Sequence, residues 1–267
     1  MPRIHVDAPL AAGQPLDLPP GAARHVQVLR LQPGELITLF NGQGGEWTAA
    51  VTQIGRSSVQ VEVQSHEAVE REIGPQVTIA LAMPANDRMD TLVEKAVELG
   101  VAAIQPLMSE RSVLRLSGER AQRKQAHWQG IAVAACEQSG RNRVPRVAPV
   151  ITFSAWLAEQ ATAADLTDAT RWLLGFGDEA LPLPQRLRPQ APARLLLLSG
   201  PEGGLSPAEV EAAQRVGFLP TSLGPAVLRA DTAPLAALAA VALAAVALAG
   251  TGPAGDVPAG VVPAPAA

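Results

Sequence analysis

Residues Arg194 to Leu198 place four leucines in succession, and the run passes directly into Ser199-Gly200-Pro201-Glu202-Gly203-Gly204-Leu205 and then Ser206-Pro207-Ala208-Glu209. A short unbroken apolar run is what a central strand needs when both of its faces are covered; a strand with one wet face alternates. Downstream, Ser206 is placed to cap a helix, Pro207 suits its first turn, and Glu209 stands three residues on, where a reciprocal capping box needs it. The local order is therefore strand, glycine-rich loop, helix, and parallel sheets bind ligands at the carboxyl ends of their strands. Glycines there let the backbone approach a ligand closely, although the same spacing also suits a tight turn with no ligand. The loop has neither the Lys-Ser/Thr pair of a Walker A motif nor the G-x-G-x-x-G of a dinucleotide site. A nucleoside-like ligand without phosphates, such as S-adenosylmethionine, suits it best.

Around that strand the texture of the chain changes near residue 75. Before it, short strands are expected at Arg24 to Arg30, Leu36 to Asn41, Glu46 to Gln53 and Ser58 to Gln64, with Asn41-Gly42 and Gly44-Gly45 turning a hairpin. Val59, Val61 and Val63 share one strand face. These pieces describe a small β-barrel over residues 1–70. The charged stretch from Ser65 to Pro75 reads as a linker. Strands then alternate with helices: Gln76 to Ala82, Val101 to Leu107, Arg171 to Gly175 and Arg194 to Ser199 as strands, Asn86 to Leu99 and Glu119 to Ser139 as helices. That alternation predicts an α/β domain over residues 74–250, a mostly parallel sheet with helices on both faces. The Pro-, Gly-, Ala- and Val-rich residues 251–267 are expected to form a flexible tail.

Of 267 residues, 48% are hydrophobic and 17% charged, the balance of a compact folded protein. Cys136 is the single cysteine, so no intramolecular disulfide and no cysteine-based metal site is expected. The first residues lack the apolar stretch of a secretory signal, which favours a cytoplasmic protein. Leu235 to Ala249 is uninterrupted Ala, Leu and Val, too short for a membrane span of roughly 20 residues. A helix apolar all round must be covered, by its own domain or by a second copy of the chain. The net charge is -4, yet Glu110 to Arg146 holds eight basic residues against three acidic ones. With lysine only at Lys95 and Lys124, the positive charge is almost all guanidinium, which suits phosphate contacts. The same bias is also what an arginine- and alanine-rich composition produces without any ligand.

Six ordered pieces carry a family resemblance: Arg24-His25-Val26-Gln27-Val28-Leu29-Arg30; Glu94-Lys95-Ala96-Val97-Glu98-Leu99-Gly100; Glu110-Arg111-Ser112-Val113; Glu137-Gln138-Ser139-Gly140-Arg141 with Val144-Pro145; Gly200-Pro201-Glu202-Gly203-Gly204; and Leu223-Gly224 through Leu228-Arg229-Ala230-Asp231-Thr232-Ala233. The chain resembles, over most of residues 3 to 249, the RsmE family of 16S ribosomal RNA uracil-N3 methyltransferases, members of the SPOUT class. The resemblance implies a PUA-like N-terminal RNA-binding barrel, a C-terminal domain with a trefoil knot, a homodimer through that domain, and S-adenosylmethionine as methyl donor. It implies cofactor contacts at Leu198, Ser199, Gly200, Glu202 and Gly203 in one loop and Leu223, Gly224, Leu228 and Arg229 in another, with Gly175 as a third contact. Three positions depart from the family pattern: Ala226-Val227 stand where Arg-Ile is usual, Asp231 where Glu is favoured, and Val97 where Thr is common.

Methylating uracil N3 requires loss of a weakly acidic proton, so orientation and a neighbouring positive charge are the needs. Arg141 is the candidate for steadying the uracil anion or its phosphate, with Glu137 or Glu202 orienting it or accepting the proton. Glu137 and Arg141 are four apart on one helical face, which equally suits a surface ion pair. Asp231 serves either this chemistry or the N-cap of the last helix. Arg3, Arg24 and Arg30 in the barrel and Arg111, Arg115 and Arg143 beyond it are candidates to track RNA phosphates. Two other readings remain open, methylation of another RNA atom such as a ribose 2'-oxygen, and an RNA-binding assembly protein without turnover.

Overall fold

Two sheets of different construction account for the change of texture near residue 75. The computed structural model describes residues 1–72, 74–85, 88–162, 169–177, 179–188 and 192–249; the expected tail, 251–267, lies outside the described residues. The first sheet holds β1 (Arg3–His5), β2 (Gln14–Asp17), β3 (Leu36–Phe40), β4 (Glu46–Ile54) and β5 (Val59–Glu67), in the order β1-β3-β4-β5-β2. Only the β1–β3 pair is parallel. Val59, Val61 and Val63 all face its core, as their alternation implies.

Arg24 to Arg30 is a correction. It lies mostly in helix α1 (Pro20–Val28), not in a strand. Pro20 opens the helix, and Ala22, Ala23 and Val26, spaced three and four apart, form its buried face. The segment never had the period of two that a strand requires. Arg30 stands just past the helix end with φ 55°.

The second sheet contains β6 (Gln76–Ala82), β7 (Ala103–Met108), β8 (Arg146–Val147), β9 (Ile151–Thr152), β10 (Thr170–Leu174), β11 (Leu181–Pro182), β12 (Arg194–Ser199) and β13 (Leu219–Ser222), every pair parallel. Its order is β11-β13-β10-β12-β6-β7-β8, with β9 also on β7, so the leucine strand β12 is internal. Leu195 and Leu197 enter one core with α2 (Arg88–Glu98), α3 (Gly118–Ser139) and α7 (Thr232–Ala249); Leu196 and Leu198 enter the other with α4 (Phe153–Thr162) and α6 (Pro207–Arg215). The short helix α5 (Leu183–Arg186) adds Leu183 to the first core. Half of α7 faces inward through Ala237, Leu238 and Val241, while Leu243 is 70% and Val246 49% exposed. No helix among the described residues is long and apolar enough to cross a membrane.

The two sheets are pinned together at the end of α3. Gly140 adopts φ 82° at the helix terminus and turns the chain; Arg141, 5% exposed, then lays its guanidinium between the sheets. Nη1 donates to the carbonyls of Val97 and Val101 at 2.9 Å each, Nε donates to Glu72 Oε1 at 3.0 Å, and Nη2 donates to Glu72 Oε2. Asn142 Nδ2 donates to Val69 O at 2.9 Å and its Oδ1 accepts from Arg3 at 2.5 Å. Arg71 and Arg3 both donate to Glu46. Phe40, at the end of β3, is fully buried in the core of the second sheet, with Arg3 over its ring. The stretch from Ser65 to Pro75 is therefore not a free connector: β5 runs through Glu67, and Val69 to Glu72 are bound to the turn after α3.

This junction makes two predictions. Arg141→Ala leaves Glu72 and two carbonyls without their donor and is expected to lower stability by about 3 kcal/mol, read from urea unfolding. Burial alone raises the Glu46 pKa, but hydrogen bonds and charges from Arg71 and Arg3 outweigh it and hold it at about 2, against 4.5. A depressed carboxyl pKa adds stability that is complete above the unfolded value and is lost as pH falls through the folded one. Stability should decline between about pH 4.5 and 2, and Glu46→Gln should flatten that decline in unfolding curves taken across the range.

Candidate active site

Three adjacent strands, β13, β10 and β12, deliver their carboxyl ends to one edge of the sheet. The residues that follow them, Gly175 to Gly177 with Glu179 and Ala180, Ser199 to Leu205, and Leu223 with Ala226 to Ala230 and Ala233, enclose a cavity of about 1000 Å³. Such a volume is at the upper end of small-ligand sites, roughly 300 to 1,000 Å³.

The glycine loop is held from both sides. The capping box forms: Ser206 Oγ accepts from Glu209 N at 3.3 Å, and Glu209 Oε2 accepts from Ser206 N at 2.9 Å. Glu209 Oε1 also accepts from Glu110 N at 2.8 Å, and Arg111 Nη1 donates to Gly203 O at 2.9 Å. Within the loop, a Cβ on Gly200 would stand 2.9 Å from Leu205 N and 3.1 Å from the Gly204 carbonyl carbon. Gly200 is therefore required by the loop's own backbone. Gly204, at φ +68°, is left-handed as well.

The cavity suits an adenosine-type ligand with a charged amino-acid arm. Leu173, Leu174, Leu205, Leu223 and Leu228 supply apolar walls, and the glycine loop supplies backbone groups. Two carboxylates, Glu179 and Glu202, face two cations, Arg88 and Arg229. Glu202 Oε1 accepts from Ala85 N and from Arg88 Nη1, each at 3.1 Å. Among the described residues the Arg229 guanidinium has no hydrogen-bond or ion-pair partner, and Arg229 is exposed.

Of the residues expected to hold the cofactor, Gly175, Ser199, Gly200, Glu202, Gly203, Leu223, Leu228 and Arg229 line the cavity. Leu198 and Gly224 do not: Leu198 is packed in the core beneath the loop, and Gly224, at φ +116°, turns the chain between β13 and the second loop. Arg141 and Glu137 are corrections. Neither lines the cavity, because Arg141 has its donors committed to Glu72 and two carbonyls, and Glu137 accepts from His5 N at 2.9 Å and pairs with His25. They do not pair with each other either. Asp231 lies between lining residues Ala230 and Ala233 with Oδ1 buried and without a hydrogen-bond partner, so its expected N-cap bond is not made through that oxygen. The Cys136 thiol is pushed up to about 11 by burial and is not a nucleophile at neutral pH.

The arginines divide in the same way. Arg24 and Arg30 are exposed on the N-terminal unit, and Arg111 and Arg115 are exposed beside the cavity, Arg115 Nη2 donating to Glu110 O. Arg143 is half-exposed but paired with Glu70 at 2.6 Å. Arg3 is a correction: Nη1 serves Glu46, Nη2 serves Asn142, the guanidinium lies over Phe40, and Nε, which has no partner, is buried, so it presents no donor to phosphate. Arg88, Glu179 and Phe176, which line the cavity, carried no signal in the sequence, since their neighbours are distant along the chain.

The model of the RNA methyltransferase domain family matches residues 71–242, and that of the RNA methyltransferase PUA domain matches residues 18–64. Ribosomal RNA small subunit methyltransferase E of Synechocystis is 35% identical over 80% of this chain and 68% of its own length. The Bacillus subtilis protein of the same name is 32% identical over 81% and 84%. Among solved structures, a methyltransferase of Legionella pneumophila with bound S-adenosylmethionine superposes with TM-score 0.83 at 35% identity, covering 91% of this chain and 97% of that one. Ribosomal RNA small subunit methyltransferase E of Neisseria gonorrhoeae, also bound to S-adenosyl methionine, gives 0.81 at 36% identity, covering 90% and 96%. A parallel sheet closing a glycine-loop cavity, joined to a small PUA-like sheet and matched over this length, makes the chain a member of the RNA methyltransferase family that includes ribosomal RNA small subunit methyltransferase E.

Proposed function

We propose that the chain methylates N3 of a uridine in 16S ribosomal RNA, with S-adenosylmethionine as donor, in the cytoplasm and as a homodimer. The observation that carries the reading is the cavity built by the loops after β10, β12 and β13, whose apolar walls and glycine backbone fit the cofactor. When bound there, S-adenosylmethionine supplies a methyl group activated on a sulfonium sulfur. The residues around it orient and balance charge. Gly200, Gly203 and Ser199 would hold it through backbone groups, and Leu173, Leu223 and Leu228 would exclude water from it. Glu202 binds Ala85 N and the Arg88 guanidinium beside the loop.

As N3 loses its proton, negative charge spreads to the uracil carbonyl oxygens, and Arg229 is the cation at hand to balance it. Asp231 is the proton acceptor, since a buried carboxylate oxygen without a donor is able to take one. Arg24, Arg30, Arg111 and Arg115 contact RNA phosphates. The second copy covers the exposed Leu243 and Val246 of α7, whose solvation would otherwise cost about 1.5–3 kcal/mol each.

Incubation with labelled S-adenosylmethionine and small ribosomal subunits lacking the modification should place label on a uridine N3; label on a ribose or a carbon, or none, refutes the reading. Arg229→Ala and Asp231→Asn should each lower kcat by about 10²-fold or more, and Asp231→Asn should do so with cofactor affinity, measured by calorimetry, little changed. Gly200→Ala should weaken cofactor binding at least about tenfold through an overpacking cost of about 1–3 kcal/mol. Gly130→Ala is the control, since Gly130 lies in α3 outside the cavity lining and its Cβ would meet nothing within 4 Å.

A further inference from the structure

We propose that Phe176 is the stacking platform for the target base, a pyrimidine swung out of single-stranded or locally opened RNA; this rests on the methyltransferase reading above. The chain has four Trp, four Phe and no Tyr. Six of these eight, Phe40, Trp128, Phe153, Trp156, Trp172 and Phe218, are buried, and Trp47 lies against His66 with ring centroids 4.5 Å apart. Phe176 is 63% exposed. Exposure of one apolar side chain is ordinary, but Phe176 and the exposed Val227 line the same cavity, which sets this ring apart from the other exposed apolar side chains.

Its position is specific. Phe176 follows the carboxyl end of β10, on the cavity wall, one residue past Gly175 and one before Gly177 at φ +125°. A Cβ added at Gly175 or at Gly177 would meet nothing within 4 Å, so the backbone on either side of Phe176 borders open space. Val227, 83% exposed, lines the same cavity from the second loop, next to Arg229 by one residue. An aromatic face, an aliphatic contact and a guanidinium for its carbonyl oxygens are what an unpaired pyrimidine requires. The cofactor's adenine is the other flat candidate. The leucines of the inner wall, buried or half-buried, suit it better, whereas a ring facing solvent meets what arrives from solvent.

Three measurements test the assignment. Single-stranded oligouridylate carrying 5-iodouridine should photocrosslink to Phe176, located by mass spectrometry, with no turnover needed. Phe176→Ala should raise the KM for small subunits roughly 5- to 150-fold, the range of one base-stacking contact, with cofactor Kd within about twofold. Phe176→Trp should restore most of it. A cofactor Kd raised by Phe176→Ala with KM for RNA unchanged assigns the ring to adenine and overturns the proposal, as does no change in either. Loss of KM in Phe176→Ala without rescue by Trp also overturns it, because a merely structural defect behaves that way. A crosslink at Phe176 in a chain that transfers no methyl group sustains the stacking site and sinks the methyltransferase reading; normal transfer by Phe176→Ala does the reverse.

Discussion

Burial of the β12 leucines on both faces of the sheet is the constraint on which the rest of the structure depends. Leu195 and Leu197 need one layer of helices, and Leu196 and Leu198 need another. Four such side chains represent roughly 6 to 12 kcal/mol of transfer free energy, comparable with the whole net stability of a domain, about 5 to 15 kcal/mol. Covering only one face would forfeit about half of that. The strand must therefore be internal, its neighbours parallel, and its carboxyl end a place where the chain reverses into a helix. The cavity is a by-product of that reversal repeated on three adjacent strands.

The N-terminal sheet is attached by a different kind of force. Phe40 enters the larger core as a single apolar plug, and around it Arg141, Asn142, Arg3, Arg71 and Glu46 make a polar collar. Buried guanidinium groups are costly unless all their donors are used, and here those of Arg141 are divided between a carboxylate and the carbonyls of Val97 and Val101. Such an arrangement tolerates little displacement. It sets how the N-terminal sheet stands relative to the larger one.

The glycine loop was legible before the structure because every element of it is local: the leucine run, the glycines, Ser206 and Glu209 all lie within sixteen residues, and the capping box forms between the two residues that the spacing selects. Val59, Val61 and Val63 were legible for the same reason. The segment Arg24 to Arg30 misled because its strand-like residues, Val26, Val28 and Leu29, were weighed by type, while the helix is set by Pro20 and by burial of Ala22, Ala23 and Val26. Arg141 and Glu137 misled in a more instructive way. Their residue types suit acid-base chemistry, and the family resemblance drew attention to them, but they hold the junction through partners 69 and 132 residues away.

By itself, then, the sequence determined the parallel α/β domain, the small preceding sheet, the glycine loop with its capped helix and the family, because each follows from short-range periodicity, capping and motif order. Only the tertiary structure decided which charged groups face the cavity and which brace the fold. An arginine's role depends on where its five donors end, and that is set by chain segments far apart in sequence: Glu72 and the α2 carboxyl end for Arg141, Glu46 and Asn142 for Arg3, and open solvent at the cavity for Arg229. Phe176 belongs to the same class, since nothing in its local sequence distinguishes a ring left at a cavity rim from one folded into the core.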